Sequence, residues 1–292
     1  MKLIIDSNMS NKKLLVASSS RHEAITKWIR ENNSLDLAVD LIFIADLLNK
    51  YDIRDALNDT HANICWYESN RLQYSNETHC LLNRIIYLED KLFYPFQLKD
   101  REHAKREFEA YLGFALNSFR SPQNITVNGI CEKVYSLPQQ WHFVDKFLNI
   151  NIPAYYREGK CFNPFENEPI AVYSSIYNFL NWSIKLGKLQ SKTGFCFKKP
   201  EGKPLFVLSI GDSFLITKDY ELNDEQMEQL ENILQKLKTL FRYFIFELLI
   251  FVTDKGMTFG CISVEIIRSQ QNPLFNDFLR RNLIREYYKC LN

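Results

Sequence analysis

Read from its start, the chain alternates short β-branched runs with helices whose first turns carry capping residues. Residues 13–17 predict a strand. Ser20, with Glu23 three residues on, predicts a capped helix that buries Ala24, Ile25, Trp28 and Ile29. Residues 37–44 and 62–67 predict further buried strands, while 81–90 (LLNRIIYLED) is too short an apolar run for its period to decide. Asp100 is expected to cap a long helix lined by Ala104, Phe108, Tyr111, Leu112, Ala115 and Phe119. The composition shifts after Ser121-Pro122. ITVNGI (125–130) predicts a strand. Residues 136–149 predict a helix that turns Trp141, Val144, Phe147 and Leu148 inward and ends at Asn151-Ile152-Pro153. Residues 153–170, with Pro153, Gly159, Pro164 and Pro169, predict a surface loop and hinge.

The sharpest pattern lies between residues 205 and 267. LFVLSIGDSFLIT is two strand-like runs around Gly211-Asp212, a pair suited to a hairpin turn. Asn223 and Gln226 form a capping box ahead of Met227, Leu230, Ile233, Leu234, Leu237, Leu240, Phe241 and Phe244 at helical spacing. FIFELLIFV, the turn Thr253-Asp254-Lys255-Gly256 and TFGCISVEII then predict a second hairpin. Residues 276–291 predict a terminal helix with Arg280, Arg281, Arg285 and Lys289 on its wet side, where cations favour the helix dipole.

Composition narrows the function by exclusion. A net charge of +1, from 36 basic and 35 acidic residues with no charge run, predicts neither a nucleic-acid nor a membrane partner. No segment approaches the ~20 apolar residues of a membrane span, and the first residues are too short an apolar run for a secretory signal. Nine glycines in 292 residues is under half the usual ~7%, which limits how many glycine-rich phosphate cradles the chain holds. Seven cysteines occur without a CxxC pair, so a cytoplasmic, reduced setting is expected. His61 and Cys65 have helical metal spacing but fall on a strand pattern, which turns them away from a common point. The Ser18–Ser20 turn has the form of an anion-binding loop or of an ordinary helix cap.

The order of elements carries a resemblance. The segment 81–119 with its Asn83-Arg84 step, then ITVNGI, then a helix closing on Asn151-Ile152-Pro153, resembles the front half of RimK-like ATP-grasp proteins of peptide-natural-product and amino-acid ligase pathways. Residues 205–267 resemble the end of the nucleotide-binding half of the same group. The resemblance implies an α/β (α+β) fold: a Rossmann-like N-terminal region, then an ATP-grasp-like antiparallel sheet with packed helices. Its implied divisions are 1–120, 121–190 with the linker loop 153–170, and 191–292.

It also implies a chemistry, in which Mg²⁺–ATP activates a carboxylate as an acylphosphate that an amine captures. The positions that match are Lys198 and Lys199 for nucleotide, and Glu247 and Glu265 for magnesium; Arg84, an isolated charge in an apolar run, has the form of a bidentate nucleotide contact or of a structural ion pair. Several departures accompany the match. Gln139, Gln140 and Trp141 stand where a first lysine is usual, 194–203 has one glycine inside its turn rather than a flap, and Ile267 stands where an Asn follows the second acid. Two readings result: a ligase acting on a peptide or amino acid, or a non-catalytic binding or scaffold subunit that keeps the fold. A peptide or protein is the implied partner, and a homodimer is left open.

Overall fold

The computed structural model describes residues 12–32, 39–58, 62–131, 135–153, 155–157, 170–172, 195–198, 200–216 and 221–291, with only the backbone of 155–157, 170–172 and 195–198. The chain divides into two compact units, Met1–Lys133 with Tyr287–Asn292, and Val134–Glu286.

The first unit is built on a parallel sheet. Strands β1 (Lys13–Ser18) and β2 (Val39–Phe43) flank helix α1 (Ala24–Asn32), and α2 (Ile44–Lys50) follows directly. Short strands β3 (Asp52–Ile53), β4 (Ala56–Leu57), β5 (Ala62–Asn63), β6 (Cys65–Glu68) and β7 (Arg71–Ser75) precede β8 (His79–Arg84). The sheet order is β2-β1-β8, with Leu15 opposite both Asp40 and Leu81. A parallel strand is covered on both faces, hence the continuous burial of β8 and of β1 beyond Lys13. Helix α3 (Arg101–Asn117) buries Phe108, Leu112, Ala115 and Leu116 in the same core as Leu15, Leu81 and Trp66.

The second unit holds helix α4 (Leu137–Phe143), continued as a π-helical turn over Val144–Leu148. It also holds two antiparallel sheets. Strands β9 (Tyr155–Arg157), β10 (Ile170–Val172) and β11 (Phe195–Lys198) form one, in the order β10-β11-β9. Strands β12 (Lys203–Ile210), β13 (Ser213–Ile216), β14 (Ile245–Thr253) and β15 (Gly256–Ser263) form the other, in the order β13-β12-β14-β15. Helix α5 (Asp224–Phe241) lies between β13 and β14 in sequence, and α6 (Phe275–Leu291) ends the chain. The Asn223–Gln226 box is formed in both directions, and Leu230, Ile233, Leu234, Leu237 and Phe241 are buried as their spacing demands. Met227 and Leu240, at the margins of that stripe, are half-buried.

The β15 edge shows how side chains finish a sheet. An open strand edge leaves unpaired amides and carbonyls that invite pairing with another chain. Here Gln140 accepts from the Ile262 N–H (2.9 Å) and donates to the Ile262 carbonyl (3.1 Å), copying a neighbouring strand. The Trp141 indole donates to the Gly260 carbonyl (2.6 Å), and the Asn151 carbonyl accepts from the Phe259 N–H (2.7 Å). Gly260 sits where the β14–β15 register shifts by one residue; a Cβ there would lie 2.7 Å from the Leu249 carbonyl oxygen, so the bulge needs glycine.

Four local expectations are corrected. Helix α1 begins at Ala24 with Glu23, not Ser20, as its cap: the Glu23 carboxylate accepts from the Thr26 N–H at 2.9 Å. Residues 62–67 are not one strand but two short pieces interrupted at Ile64, in small antiparallel sheets, with Ile64 and Trp66 still in the core. ITVNGI is a turn rather than a strand. An isolated Ile125–Cys131 bridge closes it, and Gly129 at φ +75° lets the chain reverse. Phe147 is 57% exposed because the π-helical turn adds a residue and rotates the face that 3.6-residue periodicity had set. Among the described residues, no helix is long and apolar enough to cross a membrane.

Leu234→Ala is expected to lower unfolding free energy by about 2–5 kcal/mol, the usual cost of truncating a buried leucine. Urea denaturation checks it. A change below about 0.5 kcal/mol, typical of surface substitutions, contradicts this packing.

Candidate functional site

Glu247 interrupts β14, and its environment decides what that acid does. Successive strand residues face opposite ways. Phe246 turns towards Tyr243 (ring centroids 6.3 Å), which stacks on Phe241 of α5 (5.6 Å). Glu247 therefore points to the other face, opposite Leu208 of β12 and Ser263 of β15. It is 0% exposed. A carboxylate taken out of water without donors would cost several kcal/mol.

The donors come from the segment that follows β15. After Ser263 the chain leaves the sheet and returns over the Glu247 face. The Ser263 hydroxyl accepts from the Glu265 N–H, the Arg268 guanidinium lies 5.8 Å from the Phe206 ring, and the Asn272 amide donates to the Ile216 carbonyl. The N–H groups of Ile267 (3.1 Å), Arg268 (3.0 and 3.1 Å) and Ser269 (2.6 Å) all donate to the Glu247 carboxylate. Ser269 opens a 3₁₀ turn, Ser269–Gln271, so these are amides the turn itself leaves free. Consecutive amides converging on one anion form a concavity that does the work of a bound cation. The same burial, reinforced by Glu247, holds the Cys261 thiol well above its ordinary pKa.

The other expected site residues have different surroundings. Glu265 lies past the end of β15, in a bend, half-buried; the strand register pairs Glu247 with Ser263 instead. Lys198 ends β11, in the smaller sheet, and its side chain lies outside the described residues, as does all of Lys199. His61 also lies outside them. Among the described residues, no group of three or more His, Cys, Asp and Glu side chains is placed to hold a metal ion. Gln140 and Trp141 are buried against β15.

Arg84, for which a nucleotide contact and a structural ion pair are both expected, is internal and ion-paired. It is fully buried and donates through Nε (3.2 Å) and Nη2 (2.9 Å) to one oxygen of Glu23, whose other oxygen caps α1. One carboxylate thus neutralises a buried guanidinium and ends a helix. Asn83, beside it, is as constrained: its N–H donates to Gln123 (2.8 Å), its amide donates to the Gly129 carbonyl (3.2 Å), and its oxygen accepts from the Ile85 N–H (2.9 Å). The Asn-Arg step is a structural junction of the first unit. Sequence reasoning missed the Ile267–Ser269 amides, because backbone donors leave no residue-type signal.

The fold is ATP-grasp-like. The chain is similar to the ATP-grasp ligase PsnB complexed with precursor peptide PsnA2 and AMPPNP, at 12% identity and a TM-score of 0.62, covering 94% of this chain and 97% of that one. It is similar to the macrocyclase MdnC from Microcystis aeruginosa, bound with precursor peptide MdnA, at 12% identity and a TM-score of 0.59 over 94% and 99% of the two chains. D-alanyl-alanine synthetase A from Vibrio cholerae aligns at 10% identity with a TM-score of 0.52, over 97% and 99%. No family model and no curated protein matches the sequence.

Two substitutions test this geometry. Glu247→Gln replaces an acceptor oxygen by a donor facing amide N–H groups, and is expected to destabilise by about 2–4 kcal/mol, with faster hydrogen exchange confined at first to 267–269. Arg84→Met strands the Glu23 carboxylate and is expected to cost about 3–5 kcal/mol by chemical denaturation. A loss under 1 kcal/mol in either variant contradicts the buried placement.

Proposed function

We propose that the chain is an ATP-grasp-fold relative of carboxylate–amine ligases that recognises a peptide through its fold, with a degenerate nucleotide site. The observation that carries this reading is the state of Glu247. In an active ligase of this type, Mg²⁺–ATP supplies the phosphoryl group that activates a carboxylate. The acid best placed to serve that chemistry is here 0% exposed, with both oxygens bonded to the chain's own amides. Magnesium requires ordered, near-octahedral oxygen ligands at about 2.0–2.1 Å. Glu247 joins such a set only if the 267–269 amides leave it, and Glu265 is not its cross-strand neighbour. Ile267 contributes an amide to the carboxylate where an Asn side chain would be usual.

The peptide arm of the proposal is supported by the two similar structures that hold precursor peptides. A binding or scaffold subunit in a peptide-modification pathway accounts for a retained fold with a closed metal position. Free thiols at Cys65, Cys80, Cys131, Cys261 and Cys290 suit a cytoplasmic setting.

Isothermal calorimetry with Mg²⁺–ATP on the whole chain tests the nucleotide arm. No binding heat is expected at millimolar nucleotide, and no hydrolysis. Tight, magnesium-dependent binding that Glu247→Gln abolishes, in a variant shown by circular dichroism to be folded, overturns the degenerate reading and favours a working ligase.

A further inference from the structure

A cleft of about 220 Å³ opens in the first unit, beyond the carboxyl ends of the parallel strands β1, β2 and β8. Open α/β sheets bind ligands at this end, because the loops that leave the strands diverge there. Three segments line the cleft: the β1–α1 loop, the junction of β2 and α2, and the chain after β8. All its lining residues belong to the first unit, and the inference is independent of the nucleotide reading.

The charges around it are unequal. Asp46 is held by Lys50 at 2.8 Å, and Glu89 is held by Lys91. Arg21 and His22, side by side on the β1–α1 loop and both exposed, have no acidic partner among the described residues. The Arg21 guanidinium lies over the Phe43 ring, 5.3 Å from its centroid, which holds it at the mouth of the cleft. Beneath are Ile44 and Leu88, both buried. The α1 amides are not the receptor, since Glu23 already occupies that helix start. A guanidinium with unused donors above an apolar floor matches an anionic head on an apolar body.

We propose that this cleft binds a small carboxylate with an aromatic or aliphatic body, the size of a single acylated amino acid. Its volume is below the range of about 300–1,000 Å³ typical of sites for drug-sized ligands. A carboxylate fits better than a phosphate, because the Asp46 and Glu89 carboxylates on the same walls oppose a second negative charge. Arg21 engages the carboxylate through its planar fork, and Phe43, Ile44 and Leu88 cover the body.

N-acetyl-L-phenylalanine, its neutral amide and inorganic phosphate are the probes, titrated against the full chain by calorimetry and ligand-observed NMR. The acid is expected to bind saturably, the amide at least tenfold more weakly, and phosphate not to displace the acid. Arg21→Gln, at an exposed position, is expected to weaken the acid at least tenfold without changing the amide. Ala45→Phe, which fills the cleft, is expected to remove both. No binding of the acid, equal binding of acid and amide, displacement by phosphate, or an Arg21→Gln variant that binds like the wild type each overturns the proposal.

Discussion

The second unit depends on one buried negative charge. Glu247 cannot remain in a dry sheet face unless something positive meets it, and the donors that meet it are the amides of 267–269. Meeting that need fixes the path of the chain after β15: it turns back over β12 and β14, where Arg268 approaches Phe206 and Asn272 reaches Ile216. The helix α6 start follows directly. A constraint on one side chain thereby positions a segment and the helix behind it.

The chain uses the same device elsewhere. Glu23 ends a helix with one oxygen and holds Arg84 with the other. Glu286, buried in α6, accepts from the Asp212 N–H at the β12–β13 turn (2.9 Å) and pairs with Arg285 (3.0 Å). Buried glutamates thus fasten turns and helix starts throughout the described fold. Side-chain amides do the complementary work at Gln140 and Asn83, each of which satisfies backbone groups from another part of the chain.

Much of the fold was legible where one rule acted alone. Helix α5 followed from the Asn223–Gln226 box and a 3.6-residue stripe, and the β12–β13 and β14–β15 hairpins from turn pairs between apolar runs. Misreadings arose where two rules competed. Ser20 with Glu23 has the form of a capping box, yet Glu23 itself accepts from the Thr26 amide with one oxygen while the other holds buried Arg84. ITVNGI has strand composition, yet Asn128-Gly129 turns it. Phe147 lost its inward phase to a π-helical turn that spacing does not foretell. At the candidate site, the oddness of an acid in FIFELLIFV was visible, but its partners are backbone groups about twenty residues on and carry no letter. Lys198 and Lys199 have side chains outside the described residues, so the lysine arm of the resemblance rests on sequence.

The central claim is that the chain's own amides, and not a metal ion, hold Glu247. The most direct measurement is a crystal structure grown with manganese and a non-hydrolysable ATP analogue, with anomalous scattering locating the metal. The expected result is a Glu247 carboxylate still bonded to the Ile267, Arg268 and Ser269 amides, with no anomalous peak beside it. Manganese coordinated by a Glu247 oxygen, with the 267–269 segment displaced, would contradict the claim.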